Sequence, residues 1–333
     1  MYGWGYNDQG TLGSNVDMEA CSAPVQISGL GKVGKVAMGN LAVFAIGSGA
    51  QSTPPTPKPL KYVALGDSYS SGEGAPDPKF INGTDQKSNM CHRSTAAYSN
   101  VLFKANSKLI SNFTFRACSG ATIPDFYKSN VEGNKNEPSQ LSWLGPDIDL
   151  VSLTIGGNDI GFGDIMAYCA TRYHTYKSCE SKYDKITNTK IANLGKATVQ
   201  YSLPNLYSSI KHDAPNADVA VLGYPRLFPT KPPKTCATGI GNLKFSKSDM
   251  TWMNSMSAKL DSVIKSSAQR AGFKYIDVQD SLQGHELCTK TPYVNRAILD
   301  ATNPNILNQI NWSFHPKAAG HRIFATILQK QIG

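Results

Sequence analysis

Five short apolar runs constrain this chain more than any other feature: YVALG (Tyr62–Gly66), FTFRAC (Phe113–Cys118), LVSLTIGG (Leu150–Gly157), ADVAVLG (Ala217–Gly223) and KYIDV (Lys274–Val278). They are β-branched and almost continuously apolar, the pattern of strands buried on both faces of a parallel sheet. Between the last two, SDMTWMNSMSAKLDSVIKSSAQRAGF places Met253, Met256, Leu260, Val263 and Ile264 at helical spacing. Ser248 is positioned to cap that helix and Gly272 to end it. Past His315, Ile323, Phe324, Ile327 and Leu328 form another helical stripe, with Pro316 suited to a first helical position. Strand–helix alternation of this kind predicts an α/β fold, an open parallel sheet with helices on both faces. Sites in such sheets form beyond the carboxyl ends of the strands.

The Pro-rich stretch 51–60 contains QSTPPTPKP, four prolines in nine residues, and favours a stiff extended spacer. It separates residues 1–50 from a larger region, 61–333. The shorter piece is rich in glycine and strand-like runs: YGWGYNDQGTLG, APVQISGL and KVAMGNLAVFAIGSG. It resembles a single repeat of the regulator-of-chromosome-condensation type, whose blades build β-propellers. One blade cannot bury its own faces, so the expectation is that Met1 is not the natural start and that more blades, and a signal peptide, lie upstream. GLGKVG (Gly29–Gly34) satisfies GxGxxG, but strand-like sequence follows it and no acid stands about 20 residues on, so a dinucleotide site is excluded.

The net charge of +9 comes from scattered basic residues, without the arginine-rich, aromatic-interleaved cluster of a nucleic-acid binder. No stretch reaches the roughly 20 apolar residues of a membrane span. Of seven cysteines, Cys21 stands apart, while Cys91, Cys118, Cys169, Cys179, Cys236 and Cys288 lie in the larger region. None forms CxxC or has histidine at zinc-ligand spacing. An even set of this kind favours disulfides and an oxidising compartment, with 15 pairings open.

Chemistry gathers at three strand ends and one late histidine. GDSYSSGEG puts Ser68 at a strand-to-helix junction, where backbone N–H groups point at the same spot. ACSGA offers the unobstructed N–H of Gly120, and TIGGNDIGF brings the Asn158 amide to the same rim. His315, in NWSFHPKAAGH, precedes the last helix. A hydroxyl, a base and donors aimed at a developing oxyanion are the parts of acyl transfer from an ester.

These blocks, in this order from Tyr62 to the end, identify the chain as resembling the SGNH (GDSL-type) hydrolases, closest to the secreted streptomycete lipases and esterases. CHRSTAAY, LGYPR and GHELC are similar to stretches of that branch. The resemblance implies a flavodoxin-like three-layer αβα sandwich with a five-stranded parallel sheet. It implies Ser68 as nucleophile, His315 as general base, and an oxyanion hole from Ser68, Gly120 and Asn158, with no metal or cofactor. It also implies the disulfides Cys91–Cys118, Cys169–Cys179 and Cys236–Cys288, an extracellular setting, and a lipid or other small ester as substrate. Most of the family has an Asp three residues before the histidine, where this chain has Trp312, and no Asp or Glu occurs from Ala301 to Gly333. The expectation is that the Trp312 main-chain carbonyl accepts the His315 Nδ1–H, with Asp300 or Glu286 as rivals. His285 is set beside a cysteine and His321 on the polar face of the last helix. Residues from Tyr168 to Asn193 are expected to form a rim or lid. Two other readings stay open: an inactive scaffold whose N-terminal repeat binds a partner, and an acyltransferase using the same acyl-enzyme.

Overall fold

A computed structural model describes residues 2–6, 20–26, 32–38, 43–48, 59–77, 79–129, 137–171, 178–239, 241, 243–297 and 312–332. The chain divides into two compact units, Met1–Lys58 and Pro59–Gly333. Of the expected spacer at 51–60, residues 51–58 lie outside the described residues, as does the rival acid Asp300, while Leu60 already begins a strand. The first unit contains β1 (Tyr2–Tyr6) antiparallel to β2 (Ala20–Gln26), and β3 (Lys32–Met38) antiparallel to β4 (Val43–Ser48). Lys32–Gly34 of the GxGxxG match thus belong to a strand, where a dinucleotide motif requires a helix to open.

In the second unit, chain order runs β5 (Leu60–Ala64), α1 (Ser68–Ser71), α2 (Tyr98–Ala105), β6 (Ile110–Phe115) and β7 (Leu150–Leu153). Then follow α3 (Phe162–Thr171), α4 (Cys179–Leu194), α5 (Leu203–Asp213), β8 (Asp218–Leu222), β9 (Thr235–Ala237), β10 (Lys244–Ser246), α6 (Lys247–Arg270), β11 (Lys274–Ile276) and α7 (Ala318–Ile332). The five apolar runs give one sheet ordered β11-β8-β7-β5-β6, every pair parallel. Val63 stands opposite Val151, and Val151 opposite Val219. All four residues of β7 are buried, as are the last four of β8. Alternation vanishes because both faces are covered, α2 packing with α7 and α4 and α5 with α6. This is the three-layer α/β sandwich that the sequence implies.

Helix boundaries follow local chemistry. Ser246, not Ser248, caps α6: its Oγ accepts the Asp249 N–H at 3.2 Å, and Asp249 Oδ2 accepts the Ser246 N–H at 3.3 Å. Ser248 already lies inside the first turn, its hydroxyl 2.9 Å from that of Ser246. Pro316 precedes α7 in an isolated bridge with Val294, outside the helix. Three disulfides tie the rim of the sandwich: Cys91–Cys118, Cys169–Cys179 and Cys236–Cys288. Each closes a loop of the unfolded chain and is worth about 2–4 kcal/mol.

His321 departs from expectation. It is wholly buried in α7, against Tyr98 and Phe324, and among the described residues neither ring nitrogen finds a hydrogen-bond partner. Burial, and then the nearby His315, lower its pKa from 6.5 to about 3. A folded-state pKa below the unfolded one favours the native state above pH 6.5, and that contribution is lost as pH falls towards the folded value. Between neutral pH and pH 5 this amounts to about 2 kcal/mol. Urea titrations are expected to show His321→Leu losing less stability than wild type over that interval, by about that amount.

Candidate active site

The site begins where β5 stops. Gly66 has φ +117°, and a Cβ there would lie 2.5 Å from the Thr154 carbonyl oxygen, so only glycine fits this crossing. Gln140 clamps the turn, its Oε1 accepting the Gly66 N–H at 2.7 Å and its Nε2 donating to the Gly66 carbonyl at 2.9 Å. Asp67 then caps α1, accepting the Tyr69 N–H at 3.0 Å, and Ser68 becomes the first helical residue. The turn thus delivers a serine hydroxyl together with the free N–H end of a helix.

The histidine loop arrives from the far end of the chain. His315 Nε2 lies 2.7 Å from Ser68 Oγ, and Nδ1 lies 3.0 Å from the Ser313 carbonyl oxygen. A carbonyl only accepts, so Nδ1 carries the proton and Nε2 presents its lone pair to the serine. The expectation for Trp312 is corrected by one residue. Its carbonyl accepts the His315 backbone N–H at 3.2 Å, closing a four-residue turn, so it is engaged by the main chain. Phe314, at φ +64°, takes the left-handed conformation inside that turn, and the Ser313 carbonyl meets the ring. Glu286 accepts the Gly284 N–H at 2.7 Å in its own loop. The other two candidate bases lie elsewhere: His321 is buried in α7, and His285 stacks on Tyr293 with centroids 3.8 Å apart.

Residues with no obvious signature hold this loop. Asn295 donates to the Gly74 carbonyl at 2.8 Å and to the His315 carbonyl at 3.3 Å, while its backbone N–H reaches the His315 carbonyl at 2.9 Å. The Tyr69 hydroxyl donates to the Phe314 carbonyl at 2.9 Å. Asn158 turns one amide N–H onto the Ala121 carbonyl at 2.9 Å, which orients the other. Gly120 sits at φ +81° in the turn after Cys118, beside the Cys91–Cys118 bridge. Among the described residues, neither the Ser68 nor the Gly120 backbone N–H donates to a protein acceptor.

Two carboxyls flank the centre, and burial raises both above their usual range. Asp67 reaches about 6 despite hydrogen bonds from Thr154, Tyr224 and the α1 backbone, and Asp159 also reaches about 6. A pocket opens beside Ser68, walled by Ile160, Phe162, Ile165, Met166, Leu227, Met253 and Leu260. Its few polar lining groups include Asp67, Asn158 and Tyr224. Of the expected rim from Tyr168 to Asn193, residues 172–177 lie outside the described residues and none of the others lines this pocket; the wall comes instead from Phe162, Ile165 and Met166, earlier in α3. Among the described residues no group of three or more His, Cys, Asp or Glu is placed to hold a metal ion.

Loosening the histidine loop is expected to slow turnover while leaving the fold intact. Asn295→Ala should lower kcat about tenfold, because small displacements of a base are costly. Trp312→Phe should stay near wild type, since both loop carbonyls remain. Steady-state kinetics on a p-nitrophenyl ester check both.

Comparison with known proteins agrees with this geometry. Residues 64–323 match the GDSL-like Lipase/Acylhydrolase family, and residues 1–46 match the Regulator of chromosome condensation (RCC1) repeat. Lipase 1 of Streptomyces coelicolor is 37% identical over 268 residues, covering 78% of this chain and 81% of the relative. A lipase of Streptomyces rimosus is 34% identical, covering 84% and 88%. Among solved structures, phospholipase A1 from Streptomyces albidoflavus superposes with a TM-score of 0.64 at 34% identity, covering 82% of this chain and 99% of that one. The extracellular lipase of Streptomyces rimosus gives 0.60 at 32%, covering 81% and 99%. With a serine and a histidine in contact at the carboxyl edge of this sheet, and with these relatives along most of its length, the chain belongs to the GDSL-like lipase/acylhydrolase family.

Proposed function

We propose that this protein hydrolyses carboxylic esters with aliphatic acyl chains, through an acyl-enzyme on Ser68. The observation that carries the reading is the 2.7 Å contact between Ser68 Oγ and His315 Nε2 at the mouth of an apolar pocket. Ser68 Oγ attacks the ester carbonyl while its proton passes to Nε2. The resulting imidazolium keeps its Nδ1–H on the Ser313 carbonyl, whose dipole does the orienting that a carboxylate does elsewhere. The tetrahedral oxyanion is met by the Ser68 and Gly120 N–H groups and the second amide N–H of Asn158. Collapse breaks the ester C–O bond, and the imidazolium returns its proton to the departing alkoxide. Water, deprotonated by His315, then releases the acid and restores the serine.

The pocket supports an aliphatic acyl group as the part recognised. The relatives named lipase and phospholipase A1 favour a lipid ester over an acetylated sugar. Three disulfides and an extracellular relative support a secreted protein. The groups named in these steps all belong to the second unit, Pro59–Gly333.

Ser68→Ala is expected to lower kcat about 10⁴-fold or more in p-nitrophenyl ester assays. In wild type, each methylene added from acetate to octanoate should raise kcat/KM while the pocket fills, by about fourfold for the roughly 0.8 kcal/mol gained per buried methylene. Met253→Trp, which fills the pocket, should move the preferred chain length downwards. A preference for acetate in wild type would sink the aliphatic assignment.

A further inference from the structure

Tyr224, in the LGYPR stretch that leaves β8, has no part in the steps above. Its buried hydroxyl nevertheless joins two strand ends. It donates to Asp67 Oδ2 and accepts the Gly157 N–H at 3.0 Å. The direction is fixed by chemistry: an ionised carboxylate only accepts, an amide N–H only donates, and a phenol has one proton to place between them. The residue is held from behind as well, its own N–H donating to Asp261 Oδ1 at 2.8 Å. Gly157 approaches so closely that a Cβ there would lie 3.2 Å from the ring. Asp67 immediately precedes Ser68, and Gly157 immediately precedes Asn158.

We propose that Tyr224 is a positioning residue of the oxyanion site: by bridging Asp67 and the Gly157 N–H, it sets the spacing between the Ser68 turn and the Asn158 amide. The inference rests on the serine-hydrolase reading. It assigns Tyr224 to the rate of the chemical step and not to substrate affinity, because the oxyanion exists only after attack. It also gives Asp67 a task besides capping α1. Thr154 Oγ1 donates to the same carboxylate at 2.6 Å, so its charge is shared among the Thr154 and Tyr224 hydroxyls and the Tyr69 N–H.

The test is Tyr224→Phe, which keeps the ring and deletes the hydroxyl, assayed on p-nitrophenyl butyrate at mildly alkaline pH, where Asp67 is ionised. The expected result is a kcat about tenfold lower with KM within about twofold of wild type. Tyr62→Phe is the control for losing a buried hydroxyl: its oxygen lies 2.6 Å from Ser152 Oγ in the body of the sheet, and its kcat should not change. Asp67→Asn breaks the bridge from the other side, should slow kcat similarly, and carries the test alone if Tyr224→Phe does not fold. The double variant should be no more than about twofold slower than the worse single, since both remove one device. The proposal is overturned if Tyr224→Phe keeps wild-type kcat, if KM rises in the same proportion as kcat falls, if Tyr62→Phe loses as much, or if the Asp67 and Tyr224 losses multiply. Ser68→Ala separates the two levels. Turnover surviving in it defeats the serine reading itself, whereas its loss beside an unimpaired Tyr224→Phe defeats only the positioning role.

Discussion

One hydrogen bond, from Ser68 Oγ to His315 Nε2, joins residues 247 positions apart and gives the rest of the structure its purpose. Nothing local brings them together. The parallel sheet sets the serine at the end of β5, and Asn295, Tyr69 and the turn at Phe314 bring the histidine loop over the same edge. The Gln140 clamp and the glycine at position 66 serve the first placement, and Gly74 the second, since a Cβ there would lie 2.8 Å from that of His315. The core of the sandwich is thus a frame that holds two loops within proton-transfer distance.

Among the described residues, the His315 Nδ1 meets a main-chain carbonyl, that of Ser313, at 3.0 Å. A carbonyl fixes the tautomer as well as an acid does, but it offers a dipole where an acid offers a full charge. Two buried acids, Asp67 and Asp159, line the turns that carry Ser68 and Asn158. The Ser313 carbonyl meets the imidazole, while the two carboxyls accept backbone N–H groups, those of Tyr69 and Ile123, beside the proposed oxyanion donors.

Much of this was legible in the sequence, and the limits have physical causes. Strands buried on both faces leave continuous apolar runs, so the five runs marked the sheet directly. The GDS, SGA, GGND and HP blocks could be read because each places a chemically distinctive residue at a strand end or helix start. The carbonyl behind His315 was misplaced by one residue because a left-handed residue at Phe314 leaves no compositional trace. His321 was assigned to a polar face because periodicity reports which positions face the core, while residue type alone says histidine prefers water. The capping serine of α6 moved from Ser248 to Ser246 since the Asp249 partner three residues on decides between them. Tyr224, Gln140 and Asn295 were invisible as site residues because their contacts span 157, 74 and 221 positions. LGYPR resembles a stretch of the family, but nothing in its sequence gives Tyr224 a role.

The central claim is that His315 activates Ser68 by direct contact, and covalent labelling reads it most directly. Wild type and His315→Ala are each treated with diisopropyl fluorophosphate, and the modified residue is located by mass spectrometry as a function of time. The account predicts a single adduct on Ser68, forming at least about 10³-fold more slowly once the imidazole is gone. An adduct on another residue, or equal rates in the two proteins, would contradict it.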